Sequence, residues 1–201
     1  MPPNPQQPEF KVDLPAPGLQ HPQTVHGVYG EPEVLQGLGQ AQNIIAEQQP
    51  ERIITLGGTC LVSLPAFDYL HGKYPDTGII WIDAHPDVSA PEDGYSNRHA
   101  MVLGALLGGG DPALAAKVQN GCFSGKDVLD PAFFDAAYFA SPALTGDGSG
   151  GGRMRMEKLT EILELIQAKS DIAGFTIAEF LPFEEQRLRQ MLAKVHIFTT
   201  G

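Results

Sequence analysis

Cysteine is nearly absent from this 201-residue chain: Cys60 and Cys122 are the only two. Two thiols make no disulfide framework, and their number fits a reducing compartment. Positive charge is scarce as well, with 13 lysines and arginines against 24 aspartates and glutamates and a formal net charge of −11. Nucleic acid and anionic membrane surfaces want basic patches, so neither is expected as a partner. No apolar run is long enough to span a bilayer, and the first residues lack the basic-then-apolar pattern of a signal peptide. The expected location is cytoplasmic.

What is present reads as one globular domain behind an arm. Hydrophobic residues at 42% and charged residues at 18% are ordinary for a packed core of this length. Residues 1–30 hold much of the proline and open Met1-Pro2-Pro3-Asn4-Pro5, a composition that predicts an extended arm. Residues 31–201 then form the domain. Helical spacing over residues 32–47 puts Val34, Leu35, Leu38, Ala41 and Ile45 on one face. A short apolar strand over 52–56 ends at Gly57 and Gly58, and a helix over 62–74 leads to the next strand. Strand, helix, strand in close order predicts a parallel sheet. Further helices are expected over 98–107, 154–168 and 184–194, with another strand over 172–178. Gly146 to Gly152 is a glycine and serine tract.

The chain is organised around Gly78-Ile79-Ile80-Trp81-Ile82-Asp83-Ala84-His85-Pro86-Asp87. The apolar run over 79–82 reads as a fully buried strand, and it stops at three potential metal ligands spaced by two, Asp83, His85 and Asp87. Buried parallel strands present ligands beyond their carboxyl ends. Carboxylates mixed with imidazole suit manganese, zinc or ferrous iron. Glu179 closes the later strand and is costly to bury without a partner, which marks it as a second candidate.

These residues resemble the ureohydrolase family of arginases, agmatinases and formiminoglutamases. Asp83-Ala84-His85-Pro86-Asp87 matches the family's Asp-Ala-His-x-Asp, and Asn97-Arg98-His99-Ala100 is similar to its Asn-x-His-Gly. Gly57-Gly58-Thr59-Cys60 falls in the place of a Gly-Gly-Asp-His turn. Asp127-Val128-Leu129-Asp130-Pro131 matches half of Asp-x-Asp-x-x-Asp-Pro, and Glu179 with Pro182 is similar to a late strand end. The resemblance implies a three-layer α/β/α fold with a mostly parallel sheet, here missing some strands. It implies one or two Mn²⁺ ions, with Zn²⁺ possible, on Asp83, His85, Asp87, Asp127 and Cys60. It further implies His99 as proton shuttle and Glu179 as holder of a small guanidino or amidino substrate whose C–N bond is hydrolysed. Association into a homo-oligomer is expected on the same ground.

Three departures bear on that expectation. Cys60 stands where relatives carry histidine, and Gly125 where they carry a bridging aspartate, with Lys126 beside it. The chain is also shorter than is usual for the family. The alternative expectation is a degenerate member with a partial metal site, acting as a binding or assembly partner without turnover.

Overall fold

A computed structural model of the chain describes residues 7–14, 24–25, 28–83, 85–129, 156–180 and 185–199. Two short strands, β1 (Thr24–Val25) and β2 (Val28–Tyr29), pair antiparallel at the end of the arm. Tyr29 N–H donates to the Ser96 carbonyl at 3.0 Å and Val28 is buried, so this strand pair is tied to the loop before Arg98. Helix α1 (Glu31–Gln48) follows, entered through Gly30 at φ 64. That left-handed conformation suits glycine, and Glu31 and Glu33 complement the helix dipole in the first turn.

Strand β3 (Ile53–Gly57) ends in a tight passage to a 3-10 turn (Cys60–Val62) and helix α2 (Ser63–Lys73). Strand β4 (Ile79–Ile80) is followed by a 3-10 turn over Arg98–Met101, helices α3 (Val102–Leu106) and α4 (Pro112–Ala115), and strand β5 (Val128–Leu129). Helix α5 (Met156–Gln167), strand β6 (Gly174–Ala178), helix α6 (Glu185–Leu192) and a 3-10 turn (His196–Phe198) follow. The glycine and serine tract lies outside the described residues.

Both pairs of domain strands are parallel, as expected. β3 pairs with β6 from Ile53 opposite Gly174 to Gly57 opposite Ala178, and β4 pairs with β5 through Ile79 opposite Val128 and Ile80 opposite Leu129. Side chains alternate across a strand, and the two faces have separate cores. Ile79, Trp81, Val128 and Ala178 pack with Leu38, Leu64, Met101, Val102 and Leu106 from α1, α2, the turn before α3 and α3 itself. Ile54, Phe175 and Ile177 pack on the other face with Leu163, Leu192, Val195 and Ile197. The architecture is helix layer, parallel strands, helix layer.

The second face is less complete than the first. The central stretch was expected to be buried throughout, yet Ile80 is 37% exposed and its neighbour Leu129 is 57% exposed. With Leu56 they belong to neither cluster of the described residues. The ladder of β4 is also shorter than the apolar run, with Trp81 N–H adding one bond to the Leu129 carbonyl at 2.8 Å. His71 of α2 is drawn inward. Its ring is half-buried and stacks on Phe123, with centroids 4.1 Å apart.

Two buried polar residues hold the connections. Asp68 on α2 accepts from Gln119 N–H at 2.8 Å, Asn120 N–H at 2.9 Å and the Asn120 amide at 2.9 Å, fastening the segment after α4. Arg98 is buried in the turn before α3. Its guanidinium meets Glu31 of α1 at 3.3 Å and hydrogen-bonds Asp111, the residue that caps α4 by accepting from Ala113 N–H at 2.8 Å. Removing one partner of a buried ion pair strands the others without compensation. Arg98→Ala is therefore expected to lower stability by about 3–5 kcal/mol, read from urea unfolding of parent and variant. An unchanged midpoint would mean that Arg98 ties nothing together.

Candidate metal centre

The passage out of β3 is built by small residues. Gly57 faces Val62 so closely that a Cβ there would collide with the valine side chain, which lets residues 57–62 fold back on themselves. Cys60 begins the 3-10 turn and is buried with Leu61 in the first core. The carboxyl ends of β3, β4 and β6 then converge, as parallel strands dictate. The Cys60 thiol donates to Asp83 Oδ2 at 3.3 Å and lies 3.8 Å from Glu179 Oε1.

Asp87 completes a group of three. Ligand atoms of Cys60, Asp83 and Asp87 all lie within 4.8 Å of one another. Asp87 is 3% exposed and adopts φ 49, while Glu179 adopts φ 55. Left-handed conformations outside glycine are uncommon, more so for glutamate than for aspartate, and such local strain clusters at functional sites. The turn at Asp87 is held from below, because its carbonyl accepts from Gly104 N–H at 3.0 Å and Ser89 N–H donates to the Ala100 carbonyl at 2.9 Å. Gly104 lets α3 approach this loop: a Cβ there would sit 3.2 Å from Val88 Cα.

The other expected ligands are not brought into the group. His85 is exposed on the rim, with Nδ1 3.7 Å from Asp83 Oδ1 and its backbone N–H donating to the same oxygen at 3.0 Å. Asp83 therefore sits between Cys60 on one carboxylate oxygen and His85 on the other. Asp127 lies at the wrong end of the strands. It precedes β5, whose parallel register sets it beside Gly78, and a Cβ on Gly78 would meet the Asp127 carbonyl oxygen at 2.7 Å. From Gly78 the chain climbs the length of β4 before reaching Asp83, on the order of 15 Å when extended. A match to half a motif located Asp127, but strand register decides which edge it occupies. Asp130, the next acidic residue, lies outside the described residues, as does Pro182.

Glu179 is exposed rather than buried, so the desolvation reason for suspecting it does not hold. Its nearness to Cys60 keeps it beside the group. His99 follows Arg98 in the turn that packs against Cys60–Val62. Its Nε2 is 3.2 Å from the Tyr95 hydroxyl, with the rings edge to face. Sequence reasoning passed over Arg98 itself. A lone arginine leading the apolar run of residues 100–107 was the available signal, since such a charge must find buried partners.

The donor set fits one divalent cation: a thiol and two carboxylates, two of the three residues buried, with anionic neighbours around them. Among the described residues a second cation position is not completed, because Asp127 is at the amino edge of β5 and Gly125 supplies no side chain. Burial, and after it the Asp83 and Asp87 carboxylates, push the Cys60 thiol far above its ordinary range. The folded protein then keeps this proton where the unfolded chain loses it. The stabilisation is fully present below the ordinary thiol value of 9.0 and is lost as pH rises beyond it. In the presence of a chelator, the parent should lose stability between about pH 8 and 10 more steeply than Cys60→Ala. Parallel slopes in urea unfolding would show an unperturbed thiol.

The sequence model of the Arginase family matches residues 11–127, more than half of the chain. An agmatinase of Halalkalibacterium halodurans is 28% identical over 168 residues, covering 64% of this chain and 55% of that protein. An arginase of Bacillus caldovelox is 39% identical over 74 residues, covering 36% of this chain and 24% of that one. The chain thus spans about half the length, or less, of these curated relatives. The solved arginase of Entamoeba histolytica in complex with L-ornithine aligns at a TM-score of 0.71 and 16% identity, over 92% of this chain and 82% of that one, a likeness of fold. With the strand ends, the motif at Asp83 and the family match in agreement, the chain belongs to the arginase family.

Proposed function

We propose that this arginase-family chain is a metal-dependent hydrolase of the linear C–N bond in a small guanidino or amidino compound. The observation that carries this reading is the meeting of Cys60, Asp83 and Asp87 at the carboxyl edge of the strands, within 4.8 Å of one another. A divalent cation held there supplies Lewis acidity at neutral pH. Asp83 is the residue on which the group depends, since its two oxygens face Cys60 and His85.

Glu179 stands at the mouth with its carboxylate exposed, placed to accept hydrogen bonds from a cationic guanidinium or amidinium. His99 carries an imidazole suited to proton transfer near neutral pH, and the Tyr95 hydroxyl fixes its Nε2 side. The relatives named arginase and agmatinase support a substrate of this class. A second reading, a binding or assembly partner without turnover, is favoured by the position of Asp127 and by the outward turn of His85.

Urea, formamide or ammonia release from guanidino and amidino compounds, with divalent cation added, tests the proposal. Asp83→Asn is expected to abolish release. Glu179→Gln should raise KM for a cationic substrate by about 10- to 100-fold, the value of a charge-assisted hydrogen bond, while leaving cation binding intact. Release that survives Asp83→Asn would sink the assignment of the site. A protein that binds its cation and releases nothing from any compound of the class would be the non-hydrolytic partner.

A further inference from the structure

We infer that the centre is a thiolate-ligated site for a single zinc-like divalent cation, and that it discriminates against manganese. The inference rests on the preceding reading in taking Cys60, Asp83 and Asp87 as a cation site. It goes beyond that reading in fixing the number and chemical class of the ion.

The number follows from the placement of the donors. Zinc holds sulfur at about 2.3 Å and carboxylate oxygen at about 2.0–2.2 Å, which puts neighbouring donors of a tetrahedron roughly 3.3–3.7 Å apart. Cys60 Sγ and Asp83 Oδ2 are 3.3 Å apart, and Asp87 falls within the same 4.8 Å group. A second ion needs bridging and terminal donors of its own. Among the described residues no second group of three or more possible ligands gathers: Asp127 is at the amino edge of β5, and His85 and Glu179 stand singly on the exposed rim.

The class follows from the sulfur. Thiolate is a soft donor that favours zinc over manganese, whereas an all-oxygen set with one imidazole would leave the choice to supply. Zinc also accepts the low coordination number that three protein donors offer, leaving a position open for a further ligand. Cys60 lies in the first core and also reaches the site edge. It opens the turn that follows β3, and its sulfur is directed at two carboxylates at the site edge.

Cobalt(II) is the probe, since its bonds to thiolate give an intense near-ultraviolet charge-transfer absorption that oxygen ligands do not. The full chain carrying Cys122→Ser removes the exposed second thiol from the measurement. Titration should give the sulfur band, saturating at one ion per chain. Zn²⁺ should displace it stoichiometrically, and Mn²⁺ in about tenfold excess should not. Cys60→Ser should lose the band with an unchanged far-ultraviolet circular dichroism spectrum. Cys60→His should bind without the band and show a zinc-over-manganese preference reduced by about tenfold or more.

Cobalt bound without a sulfur band, a band that persists in Cys60→Ser, or two Mn²⁺ per chain would each overturn the inference while leaving the proposed hydrolase standing. Absence of turnover with one zinc-like ion bound would overturn the hydrolase and leave this inference intact. Failure to bind any of the three cations would end both.

Discussion

The buried guanidinium of Arg98 is the constraint on which the functional half of the molecule depends. It touches Glu31 at the start of α1 and Asp111 at the start of α4, and it sits in the turn that carries His99. A charge taken from water at this depth is tolerated only with opposite charges and satisfied hydrogen bonds around it. Three segments distant in sequence must therefore meet at one point before the core among α1, α2 and α3 can close. Because residues 87–89 are bonded to residues 100–104 just beyond Arg98, the same point sets the height of Asp87. Asp68 does similar service in the middle of α2, where its carboxylate gathers the chain after α4.

The site inherits its charge problem from this arrangement. Asp83, Asp87 and Glu179 surround one thiol, and Asp87 is withdrawn from water. Two like charges about 4 Å apart repel by about 4 kcal/mol at an effective dielectric of 20. A folded chain can relieve this by keeping protons or by taking up a cation. The upward displacement of the Cys60 thiol is the first response. A bound cation reverses the preference by favouring the thiolate. The overall net charge of −11 adds a general attraction for cations but does not select one.

Much of the fold could be read from the sequence because strand ends and helix faces have local signals. Apolar runs ending at Gly57, Asp83 and Glu179 identified the carboxyl edge, and the structure brings Cys60, Asp83 and Glu179 together there. The face of α1 was recognisable from Val34, Leu35 and Leu38, all in the first core. What could not be read depends on pairing between distant segments. β5 has only two residues, so its register comes from β4 and decides that Asp127 lies at the end of the strands opposite the site. The direction of His85 is set by the turn at Asp83, where a backbone N–H occupies the carboxylate oxygen nearest its ring. Arg98 was hidden inside a motif read for its histidine.

The layering explains why the site has a dry side and a wet side. The first helix layer covers Ile79, Trp81, Val128 and Ala178, and Cys60 is buried in its core. The second layer covers Ile54, Phe175 and Ile177 but leaves Leu56, Ile80 and Leu129 exposed. The exposed members of the site, His85 and Glu179, are those that rim it rather than those that form the group of three. Low dielectric strengthens whatever charge interaction the inner donors make, while the rim keeps its side chains hydrated and free to exchange partners. The proposed site, with a cation among buried donors beside an exposed carboxylate for a cationic ligand, needs both conditions within a few ångströms. The edge where a complete layer meets an incomplete one provides them.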